Sequence, residues 1–170
     1  MGYKTYTDDN RDEVEFTVFI IHGHSDEWIK VERFIKDELR FNAIVLQQSY
    51  TGQVVLDKFK DAVWDSDCAI AIMSPDDIAN SGNYRARQNV LFEIGYCQGL
   101  FDSYYYAEDD ESEDEYDFEP VIIVKEQSID FREVSDLLGL EVINYMDKNI
   151  ESTFFQLGKA LKRIYKQLKD

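Results

Sequence analysis

The chain has 170 residues, 44% of them hydrophobic and 14% aromatic, which is enough to bury a core as one domain. Its net charge of −17 argues against nucleic-acid or anionic-membrane partners, since both select basic surfaces. No apolar run approaches a membrane span and no secretory signal is evident. Cys68 and Cys97 therefore read as two buried thiols of a reducing cytoplasm, not a disulfide framework.

Residues 1–14 are polar and aperiodic and read as a flexible arm, so the domain is expected over 15–170. "FTVFII" (16–21) is a continuous apolar run, the mark of a strand buried on both faces. It leads into "HGHSDEW". Ser25 and Asp26 there resemble a helix start, followed by Trp28, Val31, Phe34, Ile35 and Leu39 at helical spacing. "AIVLQQ" (43–48) predicts a second strand, "SYTGQ" a loop, and Val54 to Val63 a second helix. "CAIAIM" (68–73) predicts a third strand, and "SPDDIANSGN" a run of turns.

A helix then surrounds Glu93, with Val90, Ile94, Cys97 and Phe101 on its apolar face. "VIIVKE" (121–126) and "LEVINY" (140–145) predict two more strands, and 151–168 a final amphipathic helix. Alternating helices and solid apolar strands predict a parallel sheet with helices on both faces, an α/β fold. Ligands of such sheets bind beyond the carboxyl ends of the strands, here "HGHS", "QQSYTGQ" and "SPDD".

An acidic insertion interrupts the plan at about 102–119, with nine acidic residues and no basic one between Glu108 and Glu119. Three readings stand: a solvated spacer, a docking segment for a basic partner, or a brake on self-association through like-charge repulsion.

The candidate chemistry is sparse. Arg85, Asn89 and Glu93 recur every four residues, which places them on one helix face. That face is either a solvated stripe or, if the helix starts at the ligand edge, a site. Asp76 and Asp77 suit a turn and helix cap, or hydrogen bonds to ribose hydroxyls. His22 and His24 flank Gly23, but no further ligands follow at zinc spacing, so no metal is expected. Gly23 would let backbone approach a ligand closely. No P-loop, dinucleotide glycine fingerprint or nucleophile elbow is present.

"FTVFIIHGHSDEW", "SPDDI" and "RARQNVLFEIGY", in that order and spacing, resemble the bacterial TIR-like domains of the TIR–STING and Pycsar-effector type. The resemblance runs from about Phe16 to the C-terminus. It implies a flavodoxin-like, three-layer sandwich around a five-stranded parallel sheet. It also implies NAD⁺ glycohydrolase activity in antiphage defence, switched on by TIR–TIR assembly, with NAD⁺ as substrate and no cofactor. Carried over position by position, Glu93 matches the catalytic glutamate. Asp76, Asp77, Arg85, Arg87 and Asn89 match positions around the nucleotide pocket. The segment from "HGH" and the loop carrying Tyr50 and Gly52 would complete it, with Trp28, Phe92 or Tyr50 available to stack on a ring. Gln53 stands where many relatives carry an Arg, so either a phosphate-facing cation is missing or Arg85 or Arg87 supplies it. No partner domain is attached, so the activating input is expected from a separate protein or ligand. Two other readings compete: a non-catalytic TIR interaction module, and a nucleoside deoxyribosyltransferase-like N-glycosidic enzyme.

Overall fold

The computed structural model describes residues 15–46, 52–80, 82–105, 117–130, 137 and 139–169, with the backbone alone for 52–55. The arm, Tyr50, the side chain of Gln53 and most of the acidic insertion lie outside the described residues. Five strands form one parallel sheet: β1 (Thr17–His22), β2 (Asn42–Val45), β3 (Cys68–Met73), β6 (Val121–Glu126) and β7 (Glu141–Tyr145). Their spatial order is β2-β1-β3-β6-β7. Among the described residues α1 (Glu27–Arg33), α2 (Gly52–Trp64) and α3 (Gln88–Tyr105) link successive strands of the sheet, and α4 (Phe154–Lys169) follows β7. The expected α/β fold with a five-stranded parallel sheet is the one observed.

The apolar strands make two cores because alternate residues face opposite sides of the sheet. On one side Val18, Ile20, Ile70, Ile72, Ile122 and Val124 pack under α1 and α4. On the other, Phe19, Ile21, Ala71, Met73 and Ile123 pack under α2 and α3. Each buried aliphatic side chain contributes about 1.5–3 kcal/mol, so the middle of the sheet dominates stability. Cys68 and Cys97 are free thiols in separate cores.

Two local features depart from the sequence reading. α1 continues into a π-helical turn (Phe34–Glu38), closed by the Leu39 amide donating to the Phe34 carbonyl at 3.2 Å. The "SPDDIANSGN" run is not all turn. It holds a short antiparallel hairpin, β4 (Asp77–Ile78) and β5 (Tyr84–Arg85), with Gly82 at φ 83° in its tip. Arg85 therefore lies on a strand and pairs in register with Asp77. It is not on the helix with Asn89 and Glu93, because α3 begins only at Gln88.

The carboxyl edge of the sheet is closed where β1 and β3 end. The Asp76 carboxylate accepts the His24 amide at 3.1 Å and the buried Ser74 hydroxyl at 3.0 Å. Only glycine fits at 23, since a Cβ there would lie 1.7 Å from Asp76 Oδ2. Gly23→Ala should therefore expel the Asp76 carboxylate and cost about 1–3 kcal/mol by urea denaturation. In an Asp76→Ala background the same change should cost at least about 1 kcal/mol less, because the clash partner is gone. Additive costs would contradict this coupling.

Candidate active site

Four loops at the carboxyl edge build a cleft of about 820 Å³. It lies beyond the ends of β1, β3, β6 and β7, where His24, Glu27, Asp76, Tyr84, Glu126 and Asp147 are among the residues lining it. Each carboxylate of its inner wall is held by local donors. Glu27 is buried, and its Oε2 accepts the Ser25 hydroxyl and, at 2.9 Å, the Tyr145 hydroxyl. Burial, and then the Glu27 carboxylate, push the Tyr145 phenol well above its ordinary range, which keeps it a donor. Glu126 accepts both the amide of Ser128, at 2.7 Å, and its hydroxyl. Lys125, buried beneath, donates to the Ile129 carbonyl at 3.0 Å and fixes that loop; burial lowers its pKa.

The cleft is acidic. Asp26, Glu27, Asp76, Glu126 and Asp147 face only Lys30 and Lys148, and Lys30 is paired with Glu151 at 2.6 Å. Such a wall accepts hydroxyls and cationic groups and disfavours a diphosphate. Glu27, Glu126 and Tyr145 are absent from the sequence reading. Tyr145 and Glu27 are 118 residues apart, and no motif joins them. Their one signal is position, since each stands at the carboxyl end of a strand or just beyond one.

Glu93 lies in a second neighbourhood, near the start of α3. It is half-buried, between the buried Val90, Ile94 and Cys97 and the 59% exposed Phe92. Burial raises its carboxyl from 4.5 to about 7, against the opposing pull of the Arg87 guanidinium. Burial, and then Glu93, raise the Cys97 thiol above its ordinary range, so it remains an inert thiol. Asn89 is exposed one turn before Glu93, and Arg87 stands just ahead of the helix. Phe92 leans towards Phe59 and Tyr96, with ring centroids at 6.5 and 6.4 Å, and leaves an aromatic surface beside the carboxylate.

The expected site residues thus fall into two groups. Gly23, His24 and Asp76 meet at the acidic cleft. Arg87, Asn89 and Glu93 share the beginning of α3, and none of them lines that cleft. Between the groups runs the hairpin with Asp77 and Arg85, whose Nε is buried with no partner among the described residues. Gly52 opens α2, and the loop carrying Tyr50 lies outside the described residues. Trp28 is half-buried and stacks on His22, centroids 5.0 Å apart. The His22 Nδ1 lies 2.8 Å from the Gly23 carbonyl, and its Nε2 is buried without a partner among the described residues. Among the described residues, no three His, Cys, Asp or Glu side chains converge as metal ligands, and no helix is long and apolar enough to cross a membrane.

An uncharacterized protein of Escherichia coli K12, YuaY, is 33% identical over 111 residues, which are 57% of this chain and 37% of YuaY. Protein tirC of Dictyostelium discoideum is 33% identical over 103 residues, 54% of this chain and 51% of tirC. The chain thus spans about half, or less, of the length of these relatives. The CMP N-glycosidase BcmB of Clostridium botulinum shares the fold, with a TM-score of 0.52 at 11% identity over 83% of this chain and 97% of BcmB. The family model described as "CAP12/Pycsar effector protein, TIR domain" matches residues 17–107, from β1 through the whole of α3 and more than half of the chain. The chain belongs to that family of TIR domains.

Proposed function

We propose that this domain is an NAD⁺ glycohydrolase that uses Glu93 to cleave the bond between nicotinamide and ribose. The observation that carries the reading is the state of Glu93. It is a carboxylate at the start of α3, inside the family-matched segment, desolvated until its pKa reaches about 7.

One carboxylate suffices for this reaction. Glycosidases use two because an alkoxide leaving group needs an acid. Nicotinamide leaves the NAD⁺ cation as a neutral pyridine, taking the electron pair of the breaking C1′–N bond. What needs stabilisation is the positive charge left on the ribose ring. A carboxylate in a dry site supplies it more strongly than one in water. Water attack at C1′ then releases one proton and gives ADP-ribose; attack by the adenine would give a cyclic product. In this reading Arg87, and Arg85 on the hairpin, are assigned to the phosphates, since the acidic cleft would repel them. Phe92 offers its exposed ring to nicotinamide.

The family's description as an effector supports a role in bacterial antiphage defence, switched on by self-association and a separate activating protein or ligand. No cofactor and no nucleic-acid or membrane partner enters this reading, and it places the protein in the cytoplasm. A second reading, cleavage of a nucleoside or mononucleotide, draws on the neighbour named as a CMP N-glycosidase and on the acidic cleft. It needs the same Glu93 and differs in substrate. Parallel digests with NAD⁺, CMP and deoxynucleosides separate the two readings. Cleavage of CMP with NAD⁺ left intact would favour the second, and a folded, concentrated protein that cleaves none would leave an interaction module.

Glu93→Gln is expected to lower the NAD⁺ cleavage rate by roughly 10²–10³ while the protein stays folded. Full activity in the folded variant would remove Glu93 from the mechanism. For the wild type, kcat/KM should rise with pH through about 7, because the ionised carboxylate is the active form. A profile that falls over that range would contradict it.

Stability moves in the opposite direction. Ionising Glu93 costs the folded state nothing well below its ordinary 4.5 and the full amount above about 7. Glu93→Gln should therefore be about 1–3 kcal/mol more stable than the wild type near pH 8, with the gain gone by about pH 4. Chemical denaturation at both pH values checks this; equal stability throughout would mean that the carboxylate is not desolvated.

A further inference from the structure

The amino edge of the sheet holds a second concave surface, opposite the strand ends that build the acidic cleft. A pocket of about 650 Å³ lies between Glu15 and Phe16, which lead into β1, Arg40 and Phe41, which lead into β2, and Lys162, Tyr165 and Lys169 of α4. That volume is in the range of small-molecule sites. The floor is aromatic. Phe16 is buried and meets the half-buried Phe41 and Tyr165 edge-on, with centroids 4.8 and 5.6 Å away. Phe41 and Tyr165 lie 5.1 Å apart, and each keeps part of its ring on the pocket.

The rim is cationic, in a chain with 35 acidic and 18 basic residues. Arg40, Lys162 and Lys169 are exposed, and Glu15 is the one acidic residue that lines the pocket with them. Lys169 is steered by the floor: its Nζ donates to the Tyr165 hydroxyl at 2.8 Å and lies 5.1 Å from the centre of that ring. Arg40 and Lys162 have no ion-pair partner among the described residues.

Arg40 also sits in a costly conformation. Its φ is 62°, in the left-handed region. The Phe41 amide donates to the Ile35 carbonyl at 3.1 Å and closes the preceding helical turn, which accounts for the bend in the chain. It does not account for the residue. Glycine or asparagine takes such a position more cheaply, since a longer side chain there strains the backbone. A strained arginine on the rim of a pocket with an aromatic floor points to binding.

The two parts of the lining define the ligand. Exposed cations on one rim suit a phosphate. Half-exposed Phe and Tyr rings suit a flat ring. A concave site of this size suits a small molecule more than the broad face of a protein. We propose that this pocket binds a small aromatic phosphate of mononucleotide size. The phosphate lies on Arg40, Lys162 and Lys169, and the ring lies against Phe41 and Tyr165. The site is separate from Glu93, and the inference stands whether or not the domain cleaves NAD⁺.

The test is isothermal titration calorimetry of the full chain at about 50 mM salt, where charge is weakly screened. The probes are adenosine monophosphate (AMP), adenosine and inorganic phosphate. AMP should bind saturably and at least about tenfold tighter than either other probe, because it alone uses both parts of the lining. Arg40→Gly and Lys162→Glu should each weaken AMP binding at least about tenfold. Lys166→Glu makes the same charge change as Lys162→Glu on the same helix, at an exposed position outside the pocket, and should stay within about twofold of the wild type. Arg40→Gly should lose binding with a urea midpoint no lower than that of the wild type, because glycine accepts the left-handed backbone. Lys162→Glu keeps the test independent of any change at the helix end. A wild type that does not bind AMP, the result expected where the chain's own acidic residues pair with the rim, overturns the proposal. So does equal affinity for AMP and phosphate, or AMP binding that Arg40→Gly and Lys162→Glu leave intact, which places the nucleotide elsewhere. Equal loss in Lys162→Glu and Lys166→Glu overturns it too, since net charge alone would then explain the attraction.

Discussion

Burial of the central strands on both faces is the constraint from which the rest of this molecule follows. β3 and most of β6 expose nothing to water, so neither their backbone nor their side chains offer polar chemistry along their length. Polar groups can gather only where the strands end. At the carboxyl end the parallel arrangement releases four loops at one edge and starts α1 and α3 there, on opposite faces. The acidic cleft and Glu93 both owe their positions to that arrangement. The cleft gathers the loops, and Glu93 sits where α3 begins to sink into the core.

The two neighbourhoods differ in how they treat charge. In the cleft, carboxylates accept hydrogen bonds from hydroxyl and amide donors, such as the Ser74 hydroxyl and the His24 amide on Asp76. Beside α3 the carboxylate loses water and gains only the partial compensation of Arg87. A donor-rich wall suits recognition of hydroxyls. A carboxylate poorer in compensation suits a positive charge that develops during reaction, because the charge has few competing partners there. Gly23 belongs to the first design, since its missing Cβ is the space in which Asp76 turns back to the end of β1.

How much of this was legible in the sequence depended on the range of the interaction. Apolar runs located every strand of the main sheet: burial on both faces leaves that composition in β1, β3 and β6, and the edge strands β2 and β7 keep enough of it to be seen. The apolar positions Val90, Ile94, Cys97 and Phe101 of α3 followed from helical spacing and are all buried. The β4–β5 hairpin did not show, because strands of two residues are shorter than any period that marks a strand. That omission moved Arg85 onto the wrong element. The stacking of Trp28 on His22 did not show either, because no spacing rule pairs residues on a strand end and the next helix. The Glu27–Tyr145 hydrogen bond joins the first helix to the last strand, a distance that spacing does not bridge.

The central claim is that Glu93 carries N-glycosidic cleavage of NAD⁺ in this TIR domain. Proton NMR of NAD⁺ mixed with concentrated protein tests it most directly, with wild type beside Glu93→Gln. The expected result for the wild type is free nicotinamide appearing at the rate at which the nicotinamide-ribose anomeric signal of NAD⁺ disappears. The folded variant should leave both signals essentially unchanged over the same time. NAD⁺ that stays intact with the assembled wild-type protein, or equal nicotinamide release by the variant, would contradict the account.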